Sequence, residues 1–255
     1  METATAQERV ERKERTLEDL RRRMAAIPGK GASTAERVPT GRAHSRDMLP
    51  VPAPLAELLP DGGLAKGSVV AYSGAHSMLV GLLAEVTGKG GHAAVVGMPR
   101  LGLLAAVEMG AQLSRLAVIA EPGDDPVEVA AVLLDGIDLV VLGLDGVAVP
   151  PARCRVLAAR ARNRNTTLVV AGGSWVNPSL RLDTRVAGYQ GLGAGRGRLR
   201  SICLDVRVSA KSGPSRQGRI DLCARAGRTQ WQTREPLNRF ALVSHPGNIA
   251  AEVAS

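Results

Sequence analysis

From Leu55 onward, short apolar runs alternate with longer segments of helical period. "SVVAY", "HAAVVGM", "LAVIAE", "DLVVLGL" and "TTLVVAG" are apolar at nearly every position. Such runs fit strands buried on both faces of a parallel sheet. Between them lie "SMLVGLLAEVTG", "LGLLAAVEMGAQL", "DPVEVAAVLLDG" and "PPARCRVLAARARNRN", each read as a helix. Asp125 followed by Pro126 marks a helix start, an acceptor side chain ahead of a residue with φ already set. Strand and helix in strict alternation predict a doubly wound α/β core with a mainly parallel sheet.

After Gly172 the alternation stops. "GSWVNPSLRLDTRVAGYQGLGAGRGRLR" has no clear period and is expected to be a long loop. "RSICLDVRVSA" and "GRIDLCARA" then alternate polar and apolar around "KSGPSRQG", which predicts a C-terminal antiparallel hairpin. At the other end, Val10, Leu17, Leu20, Met24 and Ile27 draw a thin apolar stripe along a charged helix. Gly, Pro, Ser and Thr dominate residues 28–54, as in linkers. The division expected is an N-terminal helix over 1–27, a linker over 28–54, a core over 55–230 and a tail over 231–255.

Charge and composition narrow the partners. The 255 residues carry a formal net charge of +9, and aromatics make up 2%. A basic surface points to nucleic acid or an acidic partner, or to a merely solvated arginine-rich surface. Cys154, Cys203 and Cys223 are far apart, without a Cys-x-x-Cys pair, so no zinc site is expected. No apolar run is long enough to span a bilayer, and the first residues are too charged for a signal peptide. A cytoplasmic protein is expected, associated with the nucleoid when engaged with DNA.

The chemistry that this layout usually carries is missing. A phosphate loop needs Gly-x-x-x-x-Gly-Lys-Ser/Thr after the first core strand: glycines that open the backbone to phosphate, a lysine for the β and γ phosphates, a hydroxyl for magnesium. Here the strand runs into "YSGAHSMLVG". Counted from Ser73, Met78 stands for the second glycine, Leu79 for the lysine and Val80 for the hydroxyl. Counted from Gly74, the last three places fall to Leu79, Val80 and Gly81. Ser77 lies between. Aliphatic side chains there would desolvate a triphosphate without pairing its charge. The strand that should end in a magnesium-binding acid ends in Gly143, with Asp145 two positions late. Where a catalytic glutamate would follow the second strand stand Gly97, Met98 and Pro99. Three missing parts at three places argue against nucleotide hydrolysis. Neither an enzyme nor a bound cofactor is expected.

In the order of its parts the chain resembles bacterial RecA from about Leu17 to Gln230. "LAELLPDGGLAKGSVVAY" is similar to RecA's approach to its phosphate loop, with "DGGLAKG" the most specific stretch. "NTTLVVAG" is similar to the RecA strand ahead of its second DNA-binding loop, and "GRLRSICLDVRV" to the strand after it. Among RecA relatives, the short actinobacterial ImuA-prime proteins of the DNA-damage-inducible mutasome lack a functional phosphate loop, and the chain resembles these. The resemblance implies a non-catalytic RecA-like adaptor in error-prone translesion synthesis during the SOS response. Its partner would be ImuB, an inactive Y-family polymerase homologue, and through it a DnaE-type error-prone polymerase. It also implies a docking groove, where RecA receives the N-terminal segment of the next subunit. That groove would have Leu116 and Val118 on its strand side, and Val129 and Leu133 on its helix side.

Two further readings stay open: an ATP-dependent recombinase-type enzyme with an unconventional site, and a stand-alone module for single-stranded DNA. The second rests on Arg181, Arg185, Arg196, Arg198 and Arg200 for phosphates, with Trp175 and Tyr189 for stacking. At most weak, salt-sensitive single-strand binding is expected there. Trp231 and Phe240, in the expected tail, are further candidates for a partner contact.

Overall fold

The computed structural model describes residues 47–193, 196–225 and 227–234. The expected helix over 1–27, the linker as far as residue 46, and Phe240 lie outside the described residues. Residues 47–54, expected in the linker, are part of the folded body. Strand β1 (Met48–Leu49) pairs antiparallel with β2 (Leu64–Ala65). Helix α1 (Ala53–Ala56) follows Pro52, and Leu49 and Leu55 are fully buried.

All five apolar runs form strands: β3 (Val69–Gly74), β4 (Ala93–Val96), β5 (Leu116–Ile119), β6 (Leu139–Gly143) and β7 (Thr167–Ala171). The helices between them are α2 (His76–Gly88), α3 (Leu103–Glu108), α4 (Pro126–Leu133) and α5 (Pro151–Arg164). The Asp125 carboxylate caps α4 by accepting from the Glu128 N–H at 3.1 Å. α5 stops at Asn165, whose left-handed φ of 57° its short polar side chain tolerates.

Among the described residues the main sheet has nine strands, running from β11 (Arg228–Arg234) through β10 (Arg216–Arg225), β9 (Arg196–Ala210) and β8 (Leu180–Gly193) to β3, β7, β6, β4 and β5. The run from β3 to β5 is parallel, and β8 (Leu180–Gly193) joins it parallel to β3. β9 (Arg196–Ala210), β10 (Arg216–Arg225) and β11 (Arg228–Arg234) then add antiparallel. This is the doubly wound, mainly parallel core with a C-terminal antiparallel part that the alternation predicts.

Side-chain alternation sends Val70, Tyr72, Val95, Val141, Val169, Leu204 and Ile220 into one core with α1 and α2. Val69, Val96, Val140, Leu142, Leu168 and Val170 face a second core with α4 and α5. Among the described residues, no helix of the second core covers the second face of β8–β11, and mostly polar residues line it. That is why these strands alternate in sequence while β3–β7 do not.

The segment expected as a loop over 173–200 is largely strand. Two irregularities in the β8–β9 register, between Val186 and Gly188 and between Gln190 and Leu192, conceal it. Each interrupts the two-residue period that would have revealed β8. Trp231 is likewise not in a tail. It lies in β11, packs against the first core, and its ring covers Gly81 of α2 so closely that a Cβ there would overlap it.

Candidate functional site

In an open parallel sheet, ligands are held at the carboxyl ends of the strands, where the strand order reverses. In this chain those ends are β3, β7, β6 and β4, and glycines occupy them. β3 continues through Ser73 and Gly74, which pair with Asp183 and Thr184 of β8. Ala75 alone separates β3 from α2. The Thr184 hydroxyl accepts the Ala75 N–H at 2.9 Å and lies 2.6 Å from the Tyr72 hydroxyl. Tyr72 also donates to the Ala75 carbonyl. Burial pushes the Tyr72 phenol well above its ordinary range, against the hydrogen bond from Thr184, so it stays protonated. The Ser73 hydroxyl donates to the Asp183 carboxylate at 2.5 Å.

These contacts zip the turn onto β8 where a phosphate loop would swing wide. The positions aligned with the lost glycine, lysine and hydroxyl point inward. Met78 and Leu79 are fully buried, Val80 nearly so, and all three pack in the first core. Ser77 sits half-buried in the first turn of α2.

The acid positions are closed in a second way. Gly143 ends β6 beside Gly97, which follows β4. A Cβ built on Gly143 would stand 2.6 Å from the Gly97 carbonyl oxygen and 2.6 Å from Met98 Cγ. One on Gly97, at φ +70°, would stand 2.8 Å from the Gly143 carbonyl oxygen. Gly173, after β7, is walled by Leu144 and the Val147 carbonyl, each 2.5 Å from a Cβ there. Asp145 is exposed in a turn with φ 45°.

The arginine candidates fall into two groups. Arg181 and Arg185 project from β8 on the face opposite the first core, and Arg185 reaches Asp205 at 3.3 Å. Arg219 also pairs with Asp205, at 2.8 Å, and Arg234 pairs with Asp221 at 3.3 Å. The hydrogen bond from Arg219, more than the one from Arg185, holds the Asp205 carboxyl below the usual range against its partial burial. This polar floor is part of a groove of about 1280 Å³ that also includes Ser73, Asp183 and Arg207. Arg198 and Arg200 belong to β9 at even positions, the opposite side of the strand from Asp205. Arg196 opens β9. Trp175 is no stacking platform, since it is buried in the second core, whereas Tyr189 is 59% exposed.

The four groove candidates do not share one face. Among the described residues, β5 is the last strand of the sheet and is bonded only to β4. Leu116 packs on the first core and Val118, on the same side, is 40% exposed. Val129 and Leu133 pack on the second core, across the sheet. Leu116 and Val118 lie on β5, whereas the helix that carries Val129 and Leu133 packs over β4 and β6. No sequence signal marks β5 as the edge, because its "LAVI" reads like an inner strand. Exposed Leu104 and Val107 on α3 lie on the helix that follows β4 and were not legible as exposed either.

The family model of the MT3502 N-terminal domain matches residues 57–177, from just after α1 through β7 and short of β8. The uncharacterized protein Rv3395c of Mycobacterium tuberculosis is 50% identical to this chain over 183 residues. That alignment covers 72% of this chain and 82% of the mycobacterial protein. Among solved structures, the KaiC-like protein PH0186 from the hyperthermophilic archaeon Pyrococcus horikoshii OT3 matches with a TM-score of 0.48 and 10% identity. That match covers 73% of this chain and 98% of the archaeal one.

Proposed function

This chain belongs to the family of Rv3395c of Mycobacterium tuberculosis, and we propose that it serves as a non-catalytic, RecA-like adaptor in error-prone translesion synthesis. The scaffold is of the nucleotide-binding type: parallel strands, a strand–turn–helix at β3–α2, and an order reversal at the strand ends. The observation that carries the reading is the one-residue turn at Ala75, zipped to Thr184 and followed by buried Met78, Leu79 and Val80. No lysine placed at position 79 could reach a phosphate from inside the core. The Gly97–Gly143 contact supports the same reading, because an acid there would need backbone to move.

An adaptor must offer a surface in place of a reaction. The resemblance to ImuA-prime proteins supplies the partner, ImuB, with a DnaE-type polymerase reached through it. Among the described residues the outer side of β5 is unpaired, which supports the reading that an extended segment of ImuB adds to this strand by main-chain hydrogen bonds, with Val118 making an apolar contact beside it. The test is co-purification of ImuB with the full chain and with Val118→Pro, which removes a backbone donor from the outer side of β5, because Ile119 and, two residues before it, Ala117 bond inward to β4. Loss of ImuB by a variant with an unchanged circular dichroism spectrum supports the edge as the docking site. Undiminished binding moves the contact elsewhere, and absence of any complex with the wild-type chain defeats the adaptor role.

A further inference from the structure

We propose that the outer sides of α4 and α5 form a two-fold contact through which two copies of this chain pair. The inference goes beyond the adaptor reading and does not depend on it.

The two helices lie side by side and run the same way. Arg153, in the first turn of α5, reaches Asp125 at the start of α4. Arg160 and Arg164, in the last turns of α5, reach Asp135 just after α4. Val127 and Ala131 of α4, with Leu157 and Ala161 of α5, are buried in the second core. The opposite sides of both helices therefore look away from the sheet.

Charge is unevenly paired at the two ends of this helix pair. At the N-terminal end one arginine serves two acids: Arg153 holds Asp125 at 2.5 Å and meets Glu128 only at 3.9 Å. At the C-terminal end one acid serves two arginines: Asp135 holds Arg160 at 2.8 Å and Arg164 at 3.2 Å. The surrounding sequence sharpens the contrast. Residues 121–128 hold four acids and no base, and residues 160–164 hold three arginines and no acid. Between the two ends, Val132 is 62% and Val156 65% exposed.

A face that runs from negative through apolar to positive is complementary to itself reversed. A two-fold axis through the valines lays Glu128 of one copy by Arg164 of the other, twice over, and sets valine against valine at the centre. The helices then run antiparallel across the contact, which also opposes their dipoles favourably. A partner of one charge sign, such as a nucleic acid or an acidic peptide, would be drawn to one end and repelled by the other. The pattern thus selects a second copy.

Size sets the strength. The 14 residues of α5 extend about 21 Å, and two helices side by side are about 20 Å wide. That outline, about 400 Å², is well below the roughly 800 Å² per partner of a stable dimer. The pair is reversible, with a dissociation constant on the order of 10–200 μM.

Sedimentation velocity of the full chain from about 1 to 400 μM, at about 50 and 500 mM salt, provides the test. Wild type is expected to pass from monomer to dimer and to stop there, because a two-fold contact closes on itself. The higher salt should weaken the dimer about fivefold. Glu128→Arg and Arg164→Glu, each alone, leave two ends of like sign facing each other and should weaken it at least about tenfold. The double variant Glu128→Arg/Arg164→Glu inverts both ends and should regain the dimer. Val132→Asn/Val156→Asn leaves every ion pair in place and should stay monomeric with an unchanged circular dichroism spectrum. Any of four results overturns the proposal: wild type monomeric at about 400 μM, association beyond the dimer, a dimer indifferent to the paired asparagines, or a double charge reversal no better than the single ones.

Discussion

Gly143 and Gly97 meet backbone to backbone at the ends of β6 and β4: a Cβ on Gly143 would stand 2.6 Å from the Gly97 carbonyl oxygen. In a sheet of this kind that end is where an acid would hold magnesium. Here even a methyl group requires two strand ends to part. Gly143→Asp is therefore expected to lower stability by about 2–4 kcal/mol, through overpacking and an unpaired carboxylate, and to restore no magnesium binding. Denaturant unfolding of the variant, with and without magnesium, checks this. A variant as stable as wild type, and stabilised further by the metal, would show that the end can open.

Trp231 and Gly81 form a matched pair, with a ring from the last described strand lying on a bare helix backbone. Trp231→Ala should cost about 2–3 kcal/mol, toward the low end for aromatic truncations because the ring is only partly buried. Gly81→Ala should also destabilise, because its methyl would enter the space of the ring. The double variant should be less destabilised than the sum of the two, since removing the ring makes room for the methyl. Additive losses would mean that the two positions do not touch.

Thr184 satisfies the one N–H in the β3–α2 turn. Thr184→Val keeps the shape and removes the acceptor, leaving the Ala75 N–H and the Tyr72 hydroxyl short of a partner. A loss of about 1–3 kcal/mol is expected on thermal or chemical unfolding. Tyr72→Phe made in the Thr184→Val background should add to it, because it also strips the Ala75 carbonyl of its side-chain donor. If Thr184→Val alone is neutral, the turn is not held by this hydroxyl.

Asp205 gives a pH dependence of defined sign. Its folded pKa lies below the unfolded value, chiefly through the hydrogen bond from Arg219. Its stabilisation is thus fully present above the usual carboxylate range and is lost as pH falls through the folded value. The pair is part-exposed, so the amount is at most about 1 kcal/mol. Acid unfolding below about pH 4 should be less steep in Asp205→Asn than in wild type. Equal slopes would contradict the pairing.

The parallel core was legible because both faces of β3, β4, β6 and β7 are largely buried, which leaves runs of apolar residues, and β5 carries a run of the same kind although it is half-exposed. The Asp125 cap was legible because it is local. β8 was not, since its bulges near Gly188 and Gly191 break the period of two, and its glycines and arginines look like loop composition. β1 was missed because two residues carry no period. The loss of lysine, hydroxyl and acids could be read directly from "YSGAHSMLVG", Gly97 and Gly143. That the vacated space is closed, by Thr184 on one side and glycine backbone on the other, depends on contacts 46 to 109 residues apart in sequence and needed the fold. Trp175 and Trp231 were ambiguous for the same reason. An aromatic in a glycine-rich or terminal stretch shows its burial only when its distant neighbours are placed.

The closed turn at Ala75 is tested most directly by isothermal titration of magnesium-ATP into the full-length chain. The expected result is no saturable heat up to millimolar nucleotide, and no shift in the melting temperature of the protein. Saturable binding in the micromolar range, accompanied by thermal stabilisation and abolished by a substitution at Ser73 or Gly74, would contradict a site emptied of its nucleotide chemistry.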